Sequence, residues 1–297
     1  MRKNVIISTL LISGLSLTAS QAYAGTVTDL FGQYNGIILN NFTPGGSEVE
    51  GSLYVGGNFN AGNTTTINPQ AIPDGFLGGT LVVGGNLNGQ INMQSGSTLV
   101  GGDITATFNN NGNGSVTTGG TSVNINNTTV NENAVVSIDT TGIAAGFNTL
   151  SQDLVALNDG DFGFNVLDVD SSYFTGQAPM YAAGTTTIIN VSGMSLDTAG
   201  WNFNGIYQNV LFNFYEAESV DINAAFGASI LAPLATVENI TSIEGTVIAL
   251  NYINSGELHP EHFTGDLSGV SAVPLPAAGW LFLSALIGLG AARRRKV

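Results

Sequence analysis

The sequence predicts an all-β fold with one long helix: a β-solenoid (β-helix) with an amphipathic helix packed alongside. Three observations lead there. Short apolar strings with Gly-Gly corners recur at a spacing near one solenoid coil, too short for helix-pair repeats. The 297 residues include 40 Gly and no Cys, yet 43% are hydrophobic, so a turn-rich chain still carries the apolar matter for a core without disulfides. One stretch alone has a convincing helical period.

Met1-Arg2-Lys3 places positive charge before an uncharged apolar run, Val5 to Leu17, and Ala22-Tyr23-Ala24 follows. A basic head, an apolar middle and small residues at Ala22 and Ala24 predict a signal peptide over 1–24, removed by signal peptidase. Residues 25–272 then form the ectodomain. Its first repeat reads Gly51-Ser52-Leu53-Tyr54-Val55-Gly56-Gly57-Asn58-Phe59. It returns as Gly79-Thr80-Leu81-Val82-Val83-Gly84-Gly85-Asn86-Leu87 and as Gly96-Ser97-Thr98-Leu99-Val100-Gly101-Gly102-Asp103-Ile104. Gly84 and Gly101 are 17 apart, while the 28 from Gly56 to Gly84 leave room for a loop around Pro69 and Pro73. Glycine suits such corners because it accepts positive φ and leaves space. Asn and Thr at equivalent places form hydrogen-bonded ladders. A β-sandwich with regular strand spacing is the alternative for strands this short.

Between Gly142 and Asp159, Ile143, Phe147, Leu150, Leu154 and Leu157 make one apolar stripe, with Asn148, Ser151, Gln152 and Asn158 opposite. Asn158-Asp159-Gly160 predicts the stop. The repeat resumes as Gly227-Ala228-Ser229-Ile230-Leu231-Ala232 and, 18 residues on, Gly245-Thr246-Val247-Ile248-Ala249-Leu250. Last, Pro276 to Ala292 is uncharged and Arg293-Arg294-Arg295-Lys296 follows, which predicts a transmembrane helix over 276–292 with its basic end cytoplasmic.

All six basic residues lie in these two end segments, and all 21 acids, Asp29 to Asp266, lie between them. The ectodomain therefore carries a formal charge of −21 with His neutral, and no Lys or Arg salt bridge. This excludes nucleic-acid binding, which draws its affinity from Lys and Arg at phosphates. It also disfavours anionic polysaccharide unless divalent cations bridge the two. Without Cys or Lys, thiol, Schiff-base and Walker-type chemistry are excluded from the ectodomain, and no G-x-S-x-G elbow is present.

Among candidate sites, His259 and His262 alternate with Glu257 and Glu261, a set from which two imidazoles and a carboxylate could hold a metal. Pro260, however, keeps the imidazoles off one helix face and spacing fixes no third strong ligand, which favours a structural or surface role. Asp159 with Asp161, Asp168 with Asp170, and Glu216 with Glu218 are conceivable acid–base pairs. Lyases for anionic sugars want cations beside such pairs, so solvated acids are the plainer reading. Asp159, Asp161, Asp168 and Asp170 also offer the clustered oxygens that calcium prefers, although no cofactor is required by the sequence. Thr64-Thr65-Thr66, Thr105-Ala106-Thr107 and Thr185-Thr186-Thr187 place threonine pairs on strand faces, though at no fixed offset from the glycine corners.

The tail, Val273-Pro274-Leu275-Pro276-Ala277-Ala278, then Gly279-Trp280-Leu281-Phe282, an apolar stretch and Arg293-Arg294-Arg295, resembles the PEP-CTERM sorting signal in its VPLPA form. Leu275 stands where the name-giving Pro-Glu-Pro has its acid. The resemblance implies an exosortase as partner and processing near Pro274 to Pro276, in bacteria that make exopolysaccharide. Phe31-Gly32-Gln33-Tyr34-Asn35, Glu48-Val49-Glu50-Gly51, Gly227 to Pro233, Ile243 to Ala249, Gly256 to His259 and Phe263 resemble the choice-of-anchor A family over roughly residues 28–265. That family joins one extracellular domain to alternative anchors, and the resemblance implies an adhesive or matrix role without catalytic residues. The coil–helix–coil order is similar to the ice-binding-like β-solenoid. The expectation is thus a non-catalytic exported surface or extracellular-matrix protein, adhesive or exopolysaccharide-associated, reaching the outer surface after transient inner-membrane anchoring. A carboxylate-dependent glycan hydrolase and an ice-binding protein are the alternatives.

Overall fold

The computed structural model of the chain describes residues 27–75, 77–174 and 184–270. The expected signal cleavage at Ala22 and Ala24, and the sorting signal from Val273, Pro274, Leu275 and Pro276 to Arg293, Arg294 and Arg295, lie outside these residues. Among the described residues no helix is long and apolar enough to cross a membrane.

The chain opens with a helix that sequence periodicity did not announce, α1 (Val27–Phe31). Twelve strands follow: β1 (Gly36–Ile38), β2 (Phe42–Pro44), β3 (Glu48–Val49), β4 (Leu53–Val55), β5 (Phe59–Ile67), β6 (Leu81–Val83), β7 (Leu87–Met93), β8 (Thr98–Val100), β9 (Ile104–Asn110), β10 (Val116–Thr118), β11 (Ile125–Asn126) and β12 (Val130–Asn131). Then come α2 (Thr140–Val155), β13 (Asn165–Asp170), β14 (Thr187–Ser192), β15 (Ser195–Asp197), β16 (Val210–Asn213), β17 (Ser219–Ile222), β18 (Ser229–Asn239) and β19 (Val247–Asn254).

Every pairing between these strands is parallel, which establishes the solenoid and removes the sandwich. On one side the first set of coils stacks as β1, β4, β6, β8, β10 and β12. On the next side β2, β5, β7, β9 and β11 stack in step. The chain then runs through α2 and begins a second set, rising through β13, β14, β16, β18 and β19. β19 closes onto β1, with Gly36 opposite Val247, Ile37 opposite Ile248 and Ile38 opposite Ala249. The last coil therefore lies against the first, and two half-stacks become one.

The repeat match sets the registers Leu81↔Thr98 and Val83↔Val100 correctly. In the second set Ile230 pairs with Val247, one residue tighter than matching Gly227 to Gly245 suggests. A one-residue slip would reverse every side chain, and the observed register keeps Ile230, Ala232, Val247 and Ala249 in the core. The first set packs mainly aliphatic side chains inside, such as Leu53, Leu81, Val83 and Val100. The second is aromatic: Phe212 meets Phe226 at 5.1 Å between ring centroids, and Trp201 meets Phe203 at 5.3 Å.

The corner glycines work through space and not through φ. None of Gly56, Gly84, Gly101 or Gly119 has positive φ. A Cβ on Gly84 or Gly101 would lie 2.3 or 2.2 Å from the carbonyl oxygen of Gly56 or Gly84 in the coil before. The residue after each Gly-Gly links coils. Asn58 Oδ1 accepts from the Asn86 N–H (2.9 Å), Asn86 Oδ1 from Asp103 N–H (2.8 Å) and Asp103 Oδ1 from Thr121 N–H (2.8 Å). Gly119-Gly120 adds a fourth corner that the repeat search missed, because Thr121 replaces the Asn or Asp.

Helix α2 runs over 140–155, in place of the expected 142–159. Asp139 caps its start by accepting from Gly142 N–H at 2.8 Å. Asp161 Oδ2 takes the Asn158 N–H at 2.7 Å, which draws the chain out of the helix early. Ile143, Phe147, Leu150 and Leu154 are buried as the stripe requires, against Tyr54, Val82, Ile188, Leu211 and Leu231. Ser151 is a correction: it is fully buried, facing the sheet and not solvent. Its hydroxyl donates to Asn213 Oδ1 (2.6 Å), Asn213 Nδ2 donates to Asn190 Oδ1 (2.9 Å), and Asn190 Nδ2 donates to Asp168 Oδ1 (3.0 Å). This polar string fastens the helix to three successive coils.

Candidate ligand-binding face

The longest strands of the first half-stack, β5, β7, β9 and β11, alternate core and solvent residues, so their polar positions emerge on one flat side. Registers place them in columns: Asn60, Asn88 and Thr105; Thr64, Gln90 and Thr107; Thr66, Asn92, Asn109 and Asn126. Parallel pairing spaces neighbours in a column by about 4.8 Å, and alternate residues along a strand by about 6.6 Å. Within the columns Asn88 Nδ2 donates to Asn60 Oδ1 (2.9 Å), Asn109 Nδ2 to Asn92 Oδ1 (2.8 Å) and Asn126 Nδ2 to Asn109 Oδ1 (2.7 Å). The Thr105 hydroxyl donates to Asn88 Oδ1. Asn88 and Asn109 each spend one N–H and one lone pair on their neighbours, while Asn60, Asn92 and Asn126 at the ladder ends spend one or the other, which fixes the amide planes.

These ten positions contain no charged residue, although the chain has 21 acids. The same side continues into the second half-stack and becomes acidic, where Asp197, Asp221 and Glu238 share one register. Counting from the second glycine of each corner makes the columns readable: Asn60, Asn88 and Thr105 all stand three residues after Gly57, Gly85 and Gly102. The sequence points to ladders of Asn and Thr but does not locate them, because the threonine pairs keep no fixed offset from the glycine corners. Thr64, Thr66, Thr105 and Thr107 do share this face, while Thr187 is buried in β14. A bulge between Asn60 and Thr64 in β5 hides the common offset.

The four calcium candidates fall into two places. Asp159 and Asp161 lie in the turn after α2, where Asp159 Oδ1 accepts from Val166 N–H at 3.1 Å and Asp161 serves Asn158. Asp168 and Asp170 point from β13 into a shallow cleft of about 610 Å³ shared with Tyr173, Asn190 and Tyr215. Asp170 accepts from Ser172 N–H (2.9 Å) and its hydroxyl (2.5 Å), bonds that hold its carboxyl below the usual range. Among the described residues, none of the four joins a group of three His, Asp or Glu with converging ligand atoms. The histidines part company: His259 meets Glu244 and Glu257, while burial pushes the His262 imidazole below its usual value, against the opposing pull of the Gln33 backbone. Glu216 accepts from Gly193 N–H at 2.8 Å, and Glu218 is exposed.

Fold and face together define a helix-flanked parallel β-solenoid with a polar, uncharged side built from stacked strands. The chain belongs to the family described as "Putative Ice-binding-like adhesive domain", whose model matches residues 27–260, and it is an adhesive-like surface protein. No curated protein and no solved structure matches it.

Proposed function

We propose that this chain is a non-catalytic exported adhesin of the choice-of-anchor A type, which holds exopolysaccharide through the amide and hydroxyl columns of β5, β7, β9 and β11. The observation that carries this reading is their uncharged lattice, a row of donors and acceptors on a face that folding has already set. Sugar hydroxyls both donate and accept, so an extended glycan satisfies several columns at once, and many weak contacts sum to firm retention. Twenty-one acids, with no Lys or Arg between residues 4 and 292, repel anionic polymers and select neutral ones. Delivery follows the PEP-CTERM route, with signal peptidase acting after Ala24 and an exosortase near Pro274 to Pro276.

The test is co-sedimentation of the mature secreted protein with neutral matrix polysaccharide. Asn92→Asp together with Asn109→Asp inserts like charges into one column and is expected to weaken retention at least tenfold. Undiminished retention refutes this binding face. Release of reducing ends would replace the reading with hydrolysis, and thermal hysteresis would replace it with ice binding. For delivery, mass spectrometry of the mature C-terminus is expected to show loss of Arg293, Arg294 and Arg295, and an intact tail on all surface protein refutes sorting.

A further inference from the structure

At the third side of the coils, Ile243, Leu258 and Val49 stack through single parallel bridges. The residues that follow them, Glu244, His259 and Glu50, therefore fall into one column across the seam where the last coil meets the first. His259 Nδ1 lies 2.6 Å from Glu244 Oε1, and its Nε2 lies 3.2 Å from Glu257 Oε2. Two residues on, Glu261 turns back, so that one ligand atom each from Glu244, His259 and Glu261 lies within 4.8 Å of the others. Fully buried Asn35 sets this return by donating from Nδ2 to the carbonyls of His259 (2.8 Å) and Glu261 (3.2 Å).

A His–Glu ion pair explains only part of the arrangement. Glu261 Oε2 is buried and accepts no hydrogen bond. The Glu244 carboxylate lies beside it, with its ligand oxygen within 4.8 Å of that of Glu261. No Lys or Arg exists between residues 4 and 292 to balance the two carboxylates.

We propose that Glu244, His259 and Glu261 bind a divalent transition-metal ion of the zinc class, which staples the last coil to the one before it, beside the seam with the first. Imidazole nitrogen with two carboxylate oxygens is a donor set that zinc accepts at about 2.0–2.2 Å, whereas calcium prefers oxygen alone. Glu257 on Nε2 would orient the ring and leave Nδ1 for the ion, the carboxylate–histidine–metal arrangement common at such sites. Two carboxylates and a neutral imidazole also cancel the charge of a divalent ion.

The test is calorimetric titration of the untagged full-length chain, held in detergent, with zinc chloride and separately with calcium chloride. One zinc per chain is expected, with a rise in Tm. Glu261→Gln and His259→Gln are each expected to weaken zinc binding at least tenfold and abolish the Tm rise, while Glu218→Gln on the far side changes neither. Circular dichroism of each variant separates lost binding from lost folding. Absence of zinc binding, binding that survives both substitutions in folded protein, or equal affinity for calcium at this site overturns the proposal. None of these outcomes bears on glycan retention, which uses a different side of the coils.

Discussion

An added methyl at Gly101 would sit 2.2 Å from the Gly84 carbonyl oxygen, a backbone atom with no room to retreat because it belongs to the coil below. Gly101→Ala is therefore expected to cost about 1–3 kcal/mol, the usual range for overpacking, read as a shift in urea midpoint. Asn213 presents the opposite case, where removal does the damage. Its amide serves Ser151 and Asn190 together, so Asn213→Ala strands fully buried polar atoms and is expected to cost about 2–4 kcal/mol by the same measurement. The glycine corners were legible because a repeated backbone approach demands a repeated residue. Ser151 was not, because a helical wheel shows which residues share a face but not that a polar one meets a buried amide across it.

Helix α2 covers one side of the coils and touches both sets. Near its start Thr140 lies close to Gly84, and further on Leu154 accepts through its carbonyl from Asn190 Nδ2 at 3.2 Å. Phe147 is its central anchor, fully buried and edge-on to Phe31 of α1 at 5.6 Å between ring centroids. Phe147→Ala is expected to cost about 3–5 kcal/mol in chemical unfolding, from lost burial and the cavity left behind. Asp139→Ala removes only the cap and is expected to cost about 1 kcal/mol. The stripe of Ile143, Phe147, Leu150 and Leu154 announced this helix, whereas α1 is a single turn too short to show a period. The polar columns were half legible. Their offset from the corners is regular in β7 and β9, and the bulge in β5 conceals it.

Across the whole molecule, charge is the dominant lever. With 21 acids and no Lys or Arg between residues 4 and 292, like-charge repulsion opposes the compact state. Raising NaCl from about 0.02 to 1 M shortens the Debye length from tens of ångströms to about 3 Å, so Tm is expected to rise in differential scanning calorimetry. Acid acts in two opposed ways. Protonation relieves repulsion, yet Asp74, Asp103, Glu132, Asp170 and Asp266 titrate below their ordinary values. For Asp74, burial works upward, but hydrogen bonds from Ser97 and Thr80 outweigh it. A carboxylate with a lowered folded pKa stabilises above its unfolded value, and that stability is lost as pH falls through the folded value. Tm is therefore expected to pass a maximum and drop below about pH 4, and Asp74→Asn is expected to flatten the acid limb. Charge segregation was fully readable in the sequence. The meeting of β19 with β1 was not, since no local pattern relates residues 36–38 to 247–249.

That meeting decides how the molecule would carry mechanical load. In a solenoid wound in simple chain order, the final coil is an end coil, and a pull on the C-terminal side peels it away one bond at a time. Here β19 lies mid-stack, hydrogen-bonded to β18 on one edge and to β1 and β2 on the other. Tension entering from the C-terminal side must shear both ladders at once, so many bonds resist together where a peeled edge would lose them singly.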